Sequence, residues 1–268
     1  MKLGSFGFIG DLEAIRSAGF AFAELDLMEL SRLDEAGFRE FLRRAEDSGL
    51  TFDAFSGFMP LTERIYSPAF EWEKWMEHAR RMADRTARLG AKLWPLGAGK
   101  CRSIPEGADP AACRERFLDF VRGIGEILAP CGILLCVEPL GTANSNFLNS
   151  IGETALFARE AGLSNVRTMC DMRHMVKLGE PFSDIPLWRE DILHAHIDYP
   201  LGEARLFPNA EDGYDYAPYL DALRRAGYNG LLTVEATSYR DLAAEGAACV
   251  RLLRSLAGEE CKAAPEES

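Results

Sequence analysis

Several features that would assign the chain to a specialised class of protein are missing from its 268 residues. No stretch approaches the ~20 consecutive apolar residues of a membrane-spanning helix. The opening residues, MKLGSFGFIG, lack the long apolar core and the small-residue cleavage site of a secretory signal. These absences predict a cytoplasmic protein with no membrane partner.

Cysteine pairs are also missing, although the chain has seven cysteines. Their count is odd, their spacing is irregular, and no CxxC occurs. This pattern is typical of reduced thiols rather than of the disulfide framework of a small secreted protein. We interpret Cys170, which precedes Asp171, as a small apolar strand residue.

Positive charge is scarce, since 30 Lys and Arg stand against 42 Asp and Glu, for a net charge of -12. Nucleic acid binding requires a basic surface, so we expect no nucleic acid partner, although a local basic patch would not show in the total. Low-complexity linkers and shifts in composition are absent as well. We therefore predict one domain over residues 1–257, followed by a polar tail at 258–268.

Short apolar runs alternate with helical patterns along the whole chain, which predicts a parallel sheet built from βα units. The predicted strands are 3–8, 22–27, 51–55, 92–96, 133–138, 166–171, 192–197 and 231–235. The predicted helices are 11–18, 34–48, 70–89, 111–128, 151–161, an irregular one at 174–189, 216–226 and 240–256. The fifth strand, ILLCVE, is apolar on both faces, as a strand covered by helices should be.

Eight such units in one domain of this length favour a closed (β/α)8 TIM barrel, a fold that commonly occupies about 250 residues. An open doubly wound sheet is the alternative, but it usually carries fewer units and a glycine-rich phosphate loop. The segment GAGKCR after the fourth strand matches GxGxxG poorly, so we do not predict dinucleotide binding.

Four residues of metal-ligating type stand at or near the ends of four consecutive predicted strands: Glu138, Asp171, His196 and Glu235. Active sites of such barrels form at the C-terminal ends of the strands. Adjacent strands lie about 4.8 Å apart, so these side chains can meet around one ion. A solvated or helix-capping carboxylate is the ordinary interpretation of any single one, but four on successive strands predict a metal site.

The chemistry of the predicted ligands narrows the choice of ion. Three carboxylates close together would repel one another, and a divalent cation removes that cost. An oxygen-rich set with one imidazole suits roughly octahedral Mn2+, Mg2+ or Co2+ better than a thiolate zinc site. We expect one divalent metal, with Mn2+ as the leading candidate and Mg2+, Co2+ or Zn2+ as the alternatives.

The same segments carry a resemblance that spans most of the chain. The chain resembles the xylose-isomerase-like barrel superfamily of sugar phosphate isomerases and epimerases, including the tagatose 3-epimerase-like enzymes. The matching segments are FSGFMP at 55–60, GAGKCRSIPEG at 97–107, VEPL at 137–140, NFLNS at 146–150, CDMRH at 170–174, HAHID at 194–198 and YNGLLTVEA at 228–236.

The resemblance implies roles for the strand-end residues. It implies that Glu138, Asp171, His196 and Glu235 bind one divalent metal, and that the two glutamates also form an acid/base pair. A metal that bridges a carbonyl and a neighbouring hydroxyl acidifies the carbon between them and stabilises an enediolate. Proton return on the opposite face gives an epimer, and return at the neighbouring carbon gives an isomer.

Further residues are candidates for contacts with substrate. The resemblance implies such contacts for His174 and Arg205, while a packed histidine and a solvated arginine are the alternatives. We also nominate Glu24, Arg102 and Asn144, of which Arg102 could meet a phosphate or carboxylate or be an ordinary surface arginine. His194 shares a face with His196 and is interpreted as a core histidine or a group behind the metal ligands. His78, in mid-helix, is expected to be structural.

The chain departs from the family after the fifth strand. Relatives often carry an Asn and a Glu there, in EPLNxxExN, whereas this chain reads EPLGTANSN, with Gly141 and Asn144 at those positions. The predicted metal ligands are retained, but recognition of the substrate hydroxyls must differ.

We predict a metal-dependent isomerase or epimerase of carbohydrate metabolism, which acts through an enediolate on a small ketose or related hydroxy-ketone. The alternative is a lyase or dehydratase of a keto-polyol, in which the same enolate expels a β-hydroxyl. Two further alternatives are an endonuclease-IV-like DNA repair enzyme and a non-catalytic metal-binding barrel. The repair enzyme is disfavoured by the acidic charge and by the presence of only four histidines. The resemblance is compatible with a homo-oligomer, either a dimer or a tetramer.

Overall fold

The eight strands of the computed structural model, which describes residues 1–258, are all parallel and close into one barrel in chain order, with β1 paired to β8. The strands are β1 (Lys2–Gly7), β2 (Phe22–Asp26), β3 (Thr51–Ser56), β4 (Leu93–Leu96), β5 (Leu134–Val137), β6 (Val166–Asp171), β7 (Ile192–Ile197) and β8 (Leu231–Val234). The predicted (β/α)8 TIM barrel and all eight predicted strands are confirmed. Of the predicted tail, only Gly258 lies within the described residues.

Helices connect the strands on the outside of the barrel. They are α1 (Leu12–Ser17), α2 (Leu27–Ser31), α3 (Glu35–Ser48), α4 (Trp72–Arg88), α5 (Pro110–Leu128), α6 (Ile151–Glu160), α7 (Met172–Leu178), α8 (Ala217–Arg225) and α9 (Leu242–Leu256). The sequence did not predict α2, and it merged α7 with a separate 3-10 helix at Phe182–Trp188. Within residues 1–258, no helix combines the length and the apolar character needed to cross a membrane.

Side chains at the helix ends explain the helix boundaries. Ser150 and Glu153 form a reciprocal capping box at the start of α6, which satisfies backbone N–H groups that have no partner inside the helix. Asp171 caps α7 in a similar way, because its side chain accepts from the backbone N–H of His174. Gly179 ends that helix in a left-handed conformation. The capping requirement therefore fixes Asp171 at the point where strand turns into helix.

The hydrophobic core has two parts. The larger part fills the space between the barrel and its surrounding helices. A smaller cluster fills the barrel interior and consists of Phe22, Ala54, Leu93, Cys136, Met169 and Leu231. Gly4 leaves room for the ring of Phe22, since a Cβ at that position would collide with the ring. These apolar side chains fill the interior of the barrel. The polar residues near the C-terminal ends of the strands therefore lie at one open end of the barrel, which we call the mouth.

Candidate metal centre and active site

The four predicted ligand residues converge at the C-terminal mouth of the barrel. Glu138 and Glu235 are the first residues beyond β5 and β8, while Asp171 and His196 face each other in register on β6 and β7. One ligand atom from each of the four lies within 4.8 Å of the others. The strand ends therefore bring together side chains that are spread over almost a hundred residues of chain.

His196 Nδ1 lies at the centre of the group. It is 3.2 Å from Glu235 Oε2, and 3.6 Å from both Glu138 Oε1 and Asp171 Oδ2. The N-cap hydrogen bond occupies the other oxygen of Asp171, whose Oδ1 lies 2.9 Å from the backbone nitrogen of His174. The cap thus leaves Asp171 Oδ2 turned toward His196.

Several of these atoms are buried with no hydrogen-bond partner within residues 1–258, namely Glu138 Oε1, Asp171 Oδ2 and His196 Nδ1. Buried polar atoms are normally paired, and buried carboxylates that face one another repel. A cation among these atoms would pair with the buried atoms that lack a partner, and it would also offset the repulsion between the carboxylates. The group of three carboxylates and one imidazole therefore fits a divalent metal ion in its donor chemistry as well as in its spacing.

A glycine makes room for one of the carboxylates. A Cβ at position 97, just after β4, would collide with Glu138 Oε2. The backbone N–H of Glu138 donates to the carbonyl of Leu96, which continues the pairing of β5 with β4. Gly97 belongs to a segment that carried the family resemblance, but its contact with Glu138 depends on the barrel register and could not be predicted.

Neighbouring charges shift the pKa values of Asp171 and His196, two of the four predicted metal ligands. Burial raises the pKa of Asp171, but His174, His196 and Arg205 outweigh burial and hold that pKa well below its usual range. Burial lowers the pKa of His196, but Glu24 and Glu235 reverse that effect and hold the pKa well above its usual range. These surroundings thus keep Asp171 ionised and attract positive charge, as either a proton or a metal ion.

Arg205 and His174 reach the same mouth, Arg205 from the loop after β7 and His174 from the first turn of α7. Arg205 forms an ion pair with Glu235, and its Nη1 lies 3.5 Å from Asp198 Oδ2. Its side chain keeps 21% of its surface exposed. His174 is buried, and its Nε2 lies 3.5 Å from Arg205 Nη2 and 3.9 Å from Glu138 Oε1. The structure brings these two predicted substrate contacts together beside both glutamates.

Sequence reasoning missed a buried arginine beneath this mouth. Arg173 Nε lies 2.7 Å from Asp198 Oδ2, and both side chains are almost fully buried. The remaining guanidinium nitrogens of Arg173 donate to main-chain carbonyls of the loop that carries Arg205, at Tyr199, Gly202 and Ala204. An arginine in a short helix is usually solvated, so the sequence offered no signal of this burial.

Asp198 is the acidic partner of that arginine. Burial, followed by the neighbouring charge of Asp171, raises the pKa of Asp198 to about 7, against the opposing effect of Arg205 and Arg173. Asp198 lies in the predicted HAHID segment but was not singled out there. Together, Arg173 and Asp198 hold the loop that presents Arg205.

Three other predicted substrate contacts lie elsewhere. Arg102 is completely buried, and its Nη2 donates to the carbonyls of Glu138 and Leu148 at 2.8 and 2.9 Å. Contrary to both expectations for it, Arg102 has no exposed surface with which to meet solvent or an entering substrate, because its buried guanidinium holds the loop after β5. Asn144 lines a depression of about 420 Å³, together with Arg64 and Lys100.

Glu24 lies behind His196 rather than in the open mouth. It is completely buried, and both of its carboxylate oxygens lie 3.2 Å from His196 Nε2. This position does not support a contact with substrate, because the imidazole separates Glu24 from the other three carboxylates. His194 is also fully buried and lies 2.9 Å from Glu24 Oε2, so it is a core histidine with a polar partner. His78 packs against Phe58 and Trp75, as a structural histidine should.

Comparisons with known proteins identify the same architecture. The family model described as xylose isomerase-like TIM barrel matches residues 12–255. The chain is 23% identical over 184 residues to D-psicose 3-epimerase of Agrobacterium fabrum, an alignment that covers 65% of this chain and 61% of that protein. The chain thus spans less than two thirds of the length of this relative.

Solved structures show the same fold over nearly the whole chain. D-psicose 3-epimerase of Clostridium cellulolyticum H10 superimposes with a TM-score of 0.81 at 19% identity, over 97% of this chain and 100% of that one. The 3-keto-D-glucoside 4-epimerase of E. coli superimposes with a TM-score of 0.78 at 19% identity, over 95% of this chain and 99% of that one. At such low identity these likenesses show the fold alone.

Proposed function

The chain belongs to the xylose isomerase-like TIM barrel family, and from this premise we propose that it is a divalent-metal-dependent epimerase or isomerase of a small ketose or related hydroxy-ketone. One observation supports the proposal: Glu138, Asp171, His196 and Glu235 converge, and several of their buried atoms have no hydrogen-bond partner in the part of the chain that the structure describes. The epimerase relatives agree with this class of reaction.

The same four residues would hold the metal. Their oxygen-rich donor set favours Mn2+, and Mg2+, Co2+ or Zn2+ are further candidates. When bound, the ion would acidify the substrate carbon that lies between a carbonyl and a hydroxyl oxygen.

Glu138 and Glu235 are our candidates for the acid/base pair. They follow β5 and β8, with two strands between them, so they approach the centre of the mouth from separate parts of the rim. Burial raises the pKa of Glu235, but Arg205 and His196 outweigh it and lower that pKa, which keeps Glu235 in the form that accepts a proton. Proton removal by one glutamate and return by the other on the opposite face would yield the epimer.

His174 and Arg205 are our candidates for holding substrate oxygens. Both carry N–H donors beside the two glutamates, and Arg205 keeps part of its surface open at the mouth. Donors at this place would orient the reacting carbon and stabilise negative charge that develops on the neighbouring oxygens. Gly141 and Asn144 replace the polar pair common in relatives, so we expect a substrate preference different from theirs.

A screen for hydrogen exchange tests this function. The protein would be reconstituted with Mn2+ and incubated with a panel of ketoses and hydroxy-ketones in deuterated water. Mass and NMR spectra would report deuterium at the carbon next to the carbonyl. We expect exchange with at least one compound, and loss of that exchange in Glu235→Gln.

The products of the screen separate the remaining alternatives. A deuterated epimer or isomer supports the proposal, whereas a product that has lost water identifies a lyase. The proposed function would be refuted if no compound exchanged hydrogen for deuterium in the presence of any of the four metals. Full exchange by Glu235→Gln would reject the assigned acid/base pair alone.

A further inference from the structure

Glu24 lies in the barrel interior with an unusual set of neighbours. It is a fully buried carboxylate, and within residues 1–258 no Lys or Arg forms an ion pair with it. Its partners are His194, His196 and the hydroxyl of Thr233, whose Oγ1 donates to Glu24 Oε2 at 2.8 Å. Burial of a charge without compensation is costly, so a carboxylate at this place requires an explanation beyond packing.

The fold explains how these residues meet. His194 and His196 are two residues apart on β7, so both face the barrel interior. Thr233 stands opposite His196 in the β7–β8 register. Barrel closure brings β2, which carries Glu24, next to β1 and thus near β8. Glu24 therefore approaches His196 from below, on the side opposite the candidate metal ligands.

The two nitrogens of His196 have different surroundings as a result. Nε2 faces both oxygens of Glu24 at 3.2 Å, so this nitrogen carries a hydrogen and donates it. Nδ1 faces Glu138, Asp171 and Glu235 and has no hydrogen-bond partner among the described residues. A hydrogen held on Nε2 leaves the lone pair of Nδ1 free for a metal ion.

We propose that Glu24 is a positioning residue that fixes the ring orientation and the tautomer of His196, and thereby sets the affinity of the site for its divalent metal. This inference rests on the proposed function. Thr233 and His194 in turn orient Glu24, because both donate to Oε2. Carboxylates that accept from the distal nitrogen of a ligating histidine act in this way at metal sites, where their loss typically weakens binding about 10–100-fold.

Metal titration tests the proposal without knowledge of the substrate. Mn2+ binding would be measured by calorimetry and by the electron paramagnetic resonance signal of free Mn2+, for the wild-type protein and for Glu24→Gln. Glutamine keeps the size of the side chain but offers a single acceptor oxygen and an N–H group that opposes the hydrogen of Nε2. We expect the Kd for Mn2+ to rise about 10–100-fold in this variant.

Two further variants provide a graded comparison and a control. Thr233→Val removes one donor to Glu24 and should weaken Mn2+ binding less than Glu24→Gln does. It also keeps the test decisive if Glu24→Gln fails to fold. Asp53→Asn removes another buried carboxylate. Asp53 forms ion pairs with Lys2 and Lys92 and does not contact a candidate metal ligand among the described residues. We expect Asp53→Asn to lower the melting temperature and to leave the Kd for Mn2+ unchanged.

A spectroscopic measurement reports the tautomer directly. The chain has only four histidines, so long-range nitrogen–proton NMR spectra of the Zn2+-loaded protein can be assigned by single substitutions. We expect His196 to carry its hydrogen on Nε2, and the signal of that hydrogen to move upfield and to broaden in Glu24→Gln, because the hydrogen loses the carboxylate that accepts it.

The outcomes separate the inference from the function on which it rests. If folded Glu24→Gln and Thr233→Val both bind Mn2+ as the wild type does, and the His196 signal is unchanged, the inference is overturned and the proposed function stands. A wild-type protein that takes up no divalent ion overturns both. Equal weakening of Mn2+ binding in Asp53→Asn would show a general loss of stability and would also overturn the positioning role.

Discussion

The buried pair of Arg173 and Asp198 offers a quantitative test of how the loop that carries Arg205 is held. In Arg173→Met, a flexible apolar side chain replaces the guanidinium, and Asp198 loses the donor that lies 2.7 Å from its Oδ2. Three carbonyls of the loop, at Tyr199, Gly202 and Ala204, lose their donors as well. Removal of one partner from a buried ion pair costs about 3–5 kcal/mol, because an uncompensated charge stays behind.

We therefore expect the free energy of unfolding of Arg173→Met to fall by about 3–5 kcal/mol in urea titrations, a large share of the stability of an ordinary domain. The pKa of Asp198, which burial and Asp171 raise to about 7, should rise further without Arg173. A carboxyl whose pKa is raised in the folded state costs stability as pH increases. The loss caused by Arg173→Met should thus be greater above neutral pH than below it.

A double-mutant cycle and a surface control complete the test. Arg173→Met combined with Asp198→Asn removes both charges, so we expect it to cost less than the sum of the single variants. Arg80 forms an exposed pair with Glu77, and Arg80→Met should unfold close to the wild type. A loss below about 1 kcal/mol in Arg173→Met, without added amide exchange in the loop, would contradict the role described for Arg173.

Three further predictions concern the metal, a glycine and a half-buried carboxyl. Saturating Mn2+ at about 100 times its Kd should stabilise the protein by about 2.7 kcal/mol, and a chelator should reverse the gain in melting temperature; no shift would argue against a metal site. Gly97→Ala should displace Glu138 and weaken Mn2+ binding in calorimetry, with the circular dichroism of the barrel unchanged. Burial raises the pKa of Glu180 to about 7, above its value in an unfolded chain, so its contribution to stability falls as pH rises toward and through 7. Glu180→Gln should therefore gain in melting temperature relative to the wild type above neutral pH, and an equal difference at all pH values would contradict this explanation.

The sequence by itself determined the order of the elements and the place of the ligands. Apolar runs of strand length alternate with helical patterns, and this periodicity depends on local backbone geometry, so each strand could be predicted to within a few residues. Glu138, Asp171 and Glu235 stand at the ends of such runs, and parallel strands in a barrel all end at the same rim. A local pattern was therefore enough to predict that these side chains would meet.

Only the tertiary structure decided which distant residues contact and position the residues of this site. Glu24 contacts His196 across 172 positions of sequence, and Arg173 contacts Asp198 across 25. Periodicity shows which face of its own strand or helix a residue occupies, but it does not show which residue of another element lies opposite. That choice depends on barrel closure, strand register and loop conformation. The same reason explains why Arg102 is buried under a loop although its sequence context is that of a surface arginine.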